Sequence, residues 1–212
     1  MISTRRTCLT LASLASGSVL VKAAEPTADC DLLALFAKRQ SVRRYKPDPV
    51  PEEHLRRILD AARRAPTSGN QQPWKFLVVR DRVKIDRMKA RSIERSETYL
   101  KGLSGADLEA RKQQIGQRMA GYFSAPVYIV VLTDSQSQYP AYNHWDGPLA
   151  ARALGYGTVF ITDAIPDQVT REVLAIPERY ERVCITPLGI PDGWPDPMPK
   201  KKLEELVAYE AL

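Results

Sequence analysis

Histidine and cysteine are scarce in this sequence, and neither is spaced for metal chemistry. The only histidines, His54 and His144, stand far apart and match no H-x-x-E-H pattern. Of the three cysteines, Cys8 falls near the N-terminus, Cys30 somewhat later and Cys184 in an expected strand, Arg182 to Leu188. That spacing implies no metal site and no disulfide framework, although a single Cys30–Cys184 bridge stays open in an oxidising compartment. No serine has the context of a nucleophile elbow. Gly155-Tyr156-Gly157 lacks a third glycine and follows a helical segment, which excludes a dinucleotide-binding fingerprint. Past the first two dozen residues no apolar run is long enough to span a bilayer, and there is no internal repeat.

What is present fits a globular enzyme-sized domain. The 212 residues are 44% hydrophobic, enough for one or two domains with a proper core, and the 26% charged share argues against disorder. A net charge of +6 and a pI near 9.3 would suit a nucleic-acid partner. Half of that excess, however, comes from Arg5, Arg6 and Lys22, in a stretch with no acidic residue before Glu25. The remainder supports no nucleic-acid claim. Residues 1–23 read as an export signal: Arg5-Arg6, then the apolar Leu9 to Val21, then a small-residue cleavage site at Val21-Lys22-Ala23. The order Thr4-Arg5-Arg6-Thr7-Cys8-Leu9 resembles a twin-arginine signal with Cys8 where Phe is usual; an ordinary secretory signal is the alternative. The expected location is the periplasm, or the cytoplasm if this segment is not a working signal.

Residues 32–208 read as one domain. Helical spacing is expected over Leu32 to Ala37, around Leu55, Ile58, Leu59 and Ala62, over Arg82 to Glu97 and over Ala106 to Tyr122. Further helices are expected at Gly147 to Leu154, Pro166 to Leu174 and Leu203 to Ala208. Short apolar, β-branched runs predict strands at Phe76 to Val79, Val127 to Leu132, Thr158 to Ile161 and Val183 to Leu188. Ser135 to His144 reads as a loop, and Pro187 to Pro199 as a proline-dense arm. Helices mixed with about four strands imply an α+β fold.

The sharpest chemical cue is Arg39-Gln40-Ser41-Val42-Arg43. In an extended chain Arg39, Ser41 and Arg43 point the same way. Two guanidinium forks and a hydroxyl on one side suit a phosphate monoester, whereas the plain alternative is a solvated basic turn. Asn70-Gln71-Gln72-Pro73-Trp74 is the second cue, because amides ahead of a strand can bond the edge of a heterocycle. Its plain alternative is a turn beside a buried Trp74. Lys200-Lys201-Lys202 stands at the start of the last expected helix, either solvated or as a second phosphate contact. His54 reads as a helix-surface residue, and His144 as a cap or a pocket-rim residue.

Taken in order, these motifs resemble the nitroreductase family of flavin-dependent oxidoreductases. Arg39-Gln40-Ser41-Val42-Arg43 is similar to its Arg-x-Ser-x-Arg/Lys element, and Pro66-Thr67-Ser68-Gly69-Asn70-Gln71-Gln72-Pro73-Trp74-Lys75-Phe76 to its Pro-Ser-x-x-Asn-x-Gln-Pro-Trp-x-Phe segment. Ala150 to Thr158 resembles its central helix ending in Gly-Leu-Gly, and Pro199 to Leu206 its closing Pro-Arg-Lys-Pro-Leu-Glu-Glu element. The likeness runs from about Leu32 to Val207. It implies an α+β fold with a central, mostly antiparallel sheet flanked by helices, and an intertwined homodimer holding FMN at the subunit interface. By the same resemblance Arg39, Gln40, Ser41 and Arg43 bind the phosphate, and Asn70 and Gln72 meet the ribityl chain or ring edge. Lys200, where an arginine is usual, and Lys201 add phosphate contacts, and Ile161-Thr162 offers backbone groups to the ring.

The implied activity is hydride transfer from a donor such as NAD(P)H, by way of the flavin, to a nitroaromatic, quinone or enone. A flavin-binding or storage module without turnover is the alternative, and an exported structural protein without cofactor a third reading. Outside the cytoplasm NAD(P)H is scarce, so a working leader would call for another donor or a redox partner.

Overall fold

The computed structural model describes residues 32–137 and 146–210. The leader at 1–23, Cys30 and His144 lie outside these residues. Four strands form one antiparallel sheet: β1 (Trp74–Val79), β2 (Val127–Asp134), β3 (Gly157–Thr158) and β4 (Tyr180–Gly189), in the order β1-β2-β4-β3. The helices are α1 (Leu32–Lys38), α2 (Glu52–Ala62), α3 (Arg82–Ser96), α4 (Gly105–Tyr122), α5 (Gly147–Ala153) and α6 (Asp167–Leu174).

The run Val127 to Leu132 is apolar without alternation because both faces of the sheet are covered. Tyr128, Val130 and Leu132 join a core with Ile85 of α3 and Val169 of α6. Val127, Ile129 and Val131 point the other way, against Leu55 and Ile58 of α2 and Ala151 of α5. Pro51, Glu52 and Glu53 start α2 as expected, and its apolar stripe buries Leu55, Ile58 and Ala62.

Three expectations need correction. The strand expected over Thr158 to Ile161 pairs continuously only at Gly157–Thr158, and Ile161 then makes an isolated bridge to Ile185. The helix expected over Leu203 to Ala208 is a single 3-10 turn, Leu203–Glu205. Residues 192–210 are exposed throughout, so no apolar stripe is buried to stabilise a longer helix there. Trp74 is half-buried and stacks on Phe76, with ring centroids 6.5 Å apart, rather than sitting in the core.

Two glycines seat the basic segment. A Cβ on Gly157 would lie 2.6 Å from Cγ2 of Val42, and one on Gly121 would lie 2.7 Å from the Arg43 carbonyl oxygen. Only a hydrogen fits at either position, so residues 42–43 nest against β3 and the end of α4. No described helix is long and apolar enough to cross a membrane.

Candidate anion and cofactor site

Arg39 follows the last residue of α1, and its N–H closes the helix on the Leu35 carbonyl at 3.0 Å. The chain then runs extended beside β3. Ser41 bridges Thr158, and the Val42 N–H donates to the Thr158 carbonyl at 2.9 Å. Val42 and Tyr45 face inward and are buried, which turns Ser41 and Arg43 outward, as the alternation predicts. Gln40 is half-buried beside them.

Many surface guanidiniums are held by carboxylates, as with Arg63 and Arg64 on Asp60, Arg82 on Asp86 and Arg179 on Asp134, whereas others, such as Arg44 and Arg118, are not among the described residues. Arg39 and Arg43 have no such ion pair among the described residues. Arg43 donates to the Ser41 carbonyl at 3.2 Å. Its guanidinium also meets the Tyr122 phenol, together with Arg118, whose guanidinium sits 5.5 Å from the Tyr122 ring centroid. Burial pushes that phenol up, and the hydrogen bonds from Arg118 and Arg43 outweigh burial, so its pKa lies below the ordinary tyrosine value.

The arm begins next to this segment. The Asp192 N–H donates to the Arg44 carbonyl at 3.1 Å, and the Lys46 N–H to the Ile190 carbonyl at 2.9 Å. Ser41, Arg43, Arg44 and Trp194 line a common cleft of about 350 Å³ together with the carboxylate Asp192, and Arg39 is not among its lining residues. Lys200 and Lys201 lie farther along the exposed arm, and among the described residues no hydrogen bond or ion pair joins them to Arg39, Ser41 or Arg43. The expected helix N-terminus behind Lys200 is absent, because the turn at Leu203–Glu205 spans only 3 residues.

The second motif forms a strained loop. Gly69, Asn70 and Gln72 have φ of 58°, 54° and 49°, in the left-handed region that non-glycine residues enter at a cost of about 1–3 kcal/mol each. Local bonds hold it: the Gln72 N–H to Thr67 Oγ1 at 3.1 Å, and Ser137 Oγ to Gln71 Oε1 at 2.6 Å. Gln72 Nε2 donates to Asn70 Oδ1 at 3.2 Å, which leaves the Asn70 amide NH₂ as a donor. A cleft of about 560 Å³ opens here, lined by Gln71, Gln72, Trp74 and Arg179 among others.

For the Ile161–Thr162 pair the structure amends the expectation. Both backbone groups of Ile161 are taken by Ile185, at 3.2 and 2.9 Å. Thr162 is exposed, its carbonyl accepts from Arg182 at 2.5 Å, and its N–H makes no bond among the described residues. Thr162, not Ile161, therefore has a backbone donor to offer. His54 is not a free surface residue either, because Nδ1 lies 2.7 Å from the Tyr156 hydroxyl. Cys184 is buried in β4, where desolvation pushes its thiol up to about 12. Among the described residues no group of three or more His, Cys, Asp and Glu is placed for a metal.

The sheet sets the two motifs far apart. Ser41 lies beyond β3 at one edge, four interstrand steps, or about 19 Å, from β1. Trp74 pairs with Thr133 at one end of β2, whereas Thr158 and Val127 meet Leu188 at the other end, about 20 Å away along the strand. The motifs occupy diagonal corners of the sheet. Of the neighbours of Arg43 and the arm, Arg118, Tyr122 and Trp194 carry no sequence motif, and Arg152 falls within the Ala150 to Thr158 element without being marked there as a site residue. Only the spacing of Arg118 and Tyr122 on one helix face hinted at a pair.

An antiparallel α+β sheet flanked by helices, with arginines and a serine along one edge, defines the class of domain. The comparisons give that class a name. A profile described as the Nitroreductase family matches residues 36–190, and the chain belongs to this family. An Archaeoglobus fulgidus protein provisionally named NADH dehydrogenase/NAD(P)H nitroreductase is 32% identical over 174 residues, spanning 76% of this chain and 86% of the relative. Iodotyrosine deiodinase of Thermotoga neapolitana is 31% identical over 183 residues, covering 83% of this chain and 95% of the relative. A crystal structure of oxidised iodotyrosine deiodinase bound to FMN and 3-iodo-L-tyrosine superposes with a TM-score of 0.71. It is 24% identical and covers 86% of this chain and all of that one.

Proposed function

We propose that the chain is an FMN-dependent oxidoreductase that takes reducing equivalents from NAD(P)H and passes them to a small organic acceptor, a nitroaromatic, quinone or enone. The observation that carries this reading is the basic segment at the sheet edge of a nitroreductase-family chain, where Ser41 and Arg43 face outward, Arg39 stands two residues earlier, and neither arginine is ion-paired to a carboxylate among the described residues. FMN suits the residues present. An anionic tail finds two guanidiniums and a hydroxyl, and Thr162 with its N–H lies on the same edge. The distance between them, from Leu188 to Ile185 along β4, is about 10 Å, which leaves room for a ribityl chain.

When bound, FMN supplies the two-electron transfer, so the protein needs no nucleophile or metal of its own. The roles of this chain are positional. Arg39, Ser41 and Arg43 hold the phosphate, and Lys200 and Lys201 add charge without the bidentate fork of an arginine. Asn70 and Gln72, fixed in a strained loop, present amides to the ring edge. Because the two motifs sit at opposite corners of one sheet, they meet only if a second copy supplies one of them. The reading therefore includes a homodimer. Leu32, Leu33 and Phe36 of α1 and Leu203 and Leu206 of the arm are exposed and apolar, as faces for that second copy would be.

Reductive dehalogenation is the second reading, favoured because a deiodinase stands among both the sequence relatives and the structural neighbours. If residues 1–23 export the chain, another donor replaces cytoplasmic NAD(P)H. The test is anaerobic addition of NADH or NADPH to the FMN-loaded protein, followed by a nitroaromatic, a quinone or 3-iodotyrosine. Bleaching of the flavin band and its return with an acceptor support the proposal. Flavin that stays oxidised with every donor indicates a binding module, and protein that takes up no FMN overturns the reading.

A further inference from the structure

We propose that Arg152 is a positioning residue that sets the phosphate-holding segment and the C-terminal arm in register; this rests on the flavin reading above. Arg152 lies in the last turn of α5 and is half-buried. Its Nε donates to the carbonyl of Lys38 at 3.3 Å, the final residue of α1 and the one before Arg39. A cation there also meets the negative end of the α1 peptide dipoles. On its other side the guanidinium lies 3.7 Å from the Trp194 ring centroid, close enough for cation–π attraction. It forms no ion pair with a carboxylate among the described residues. Desolvation by burial lowers its pKa from the usual arginine value, and it stays charged at neutral pH.

The need for such a tie follows from α1 itself. That helix buries none of its residues, and Leu32, Leu33 and Phe36 remain exposed. Among the described residues only Ala34 and Leu35 of α1 are half-buried, so apolar packing holds its end weakly, and that end places Arg39. Trp194 lines the cleft shared by Ser41 and Arg43, and it stands at the base of the arm that carries Lys200. One guanidinium thus ties both ends of the basic constellation to α5. A lysine would keep the charge but lose the flat face on Trp194.

The test compares FMN with riboflavin, which lacks the phosphate, in fluorescence titrations of full-length protein. Arg152→Ala and Arg152→Lys should each weaken FMN binding about tenfold, the scale of one lost charged contact. Riboflavin affinity should stay at the wild-type value. Trypsin should cut faster at Lys200–Lys202 as the arm loosens. Trp194→Leu, a change at a partly exposed position that does not threaten folding, should reproduce the FMN loss and the faster cleavage. Unchanged FMN affinity and cleavage in Trp194→Leu and Arg152→Lys overturn the proposal, as does an equal loss for FMN and riboflavin, which marks general damage. A wild type that binds neither flavin instead sinks the flavin reading, and this inference with it.

Discussion

At the scale of single residues, chemistry follows from which side chains are left without partners. Arg39 has no carboxylate, so removing it should cost ligand affinity. Arg39→Ala is expected to weaken FMN binding roughly tenfold or more, read by fluorescence titration. His54 is the contrasting case. Its bond to Tyr156 is structural, and His54→Ala should cost about 1 kcal/mol, a few degrees in Tm by thermal denaturation, while FMN affinity holds. The outward placement of Ser41 and Arg43 was legible in the sequence because alternation in an extended chain is a local rule. Tyr122, Arg152 and Trp194 were not, since they meet that segment only through long-range packing. Ile161 was misjudged for the same reason: its backbone groups are used by a strand twenty-odd residues later.

At the scale of elements, continuous apolar runs marked β1, β2 and β4, while the run at Thr158 to Ile161 pairs continuously only at Gly157–Thr158, and caps and periodicity marked α1 to α6 to within a few residues. Misses fell where an element depends on something outside its own stretch of chain. Leu203 to Ala208 has helical composition but buries nothing in one chain, so only one turn forms. The close approaches at Gly157 and Gly121 couple sheet and helix to the basic segment. Gly157→Ala forces Val42 outward and should destabilise the protein by about 1–3 kcal/mol in urea unfolding. Gly121→Ala pushes instead on the Arg43 backbone, so its expected signature is weaker FMN binding with little change for riboflavin.

At the scale of the whole molecule, buried acids make stability sensitive to alkali. Cys184 is held up at about 12 by burial, and burial likewise raises Tyr45 and Tyr128. Each keeps its proton when folded at a pH where the unfolded group loses it. Their contribution is therefore intact below the unfolded values, and it declines as pH rises past about 8.5 for the thiol and about 10 for the phenols. Tm should accordingly fall across that window and not rise. The larger consequence of the architecture is that diagonal corners of one sheet carry the two halves of the candidate site. Coexpressing Arg39→Ala with Asn70→Ala tests this most directly, with FMN bound per chain as the readout. A site shared between chains predicts that each variant alone binds poorly, while mixed dimers regain tight binding at about a quarter of all sites. Coexpressed protein that binds FMN no better than its two parents would contradict a site built from two chains.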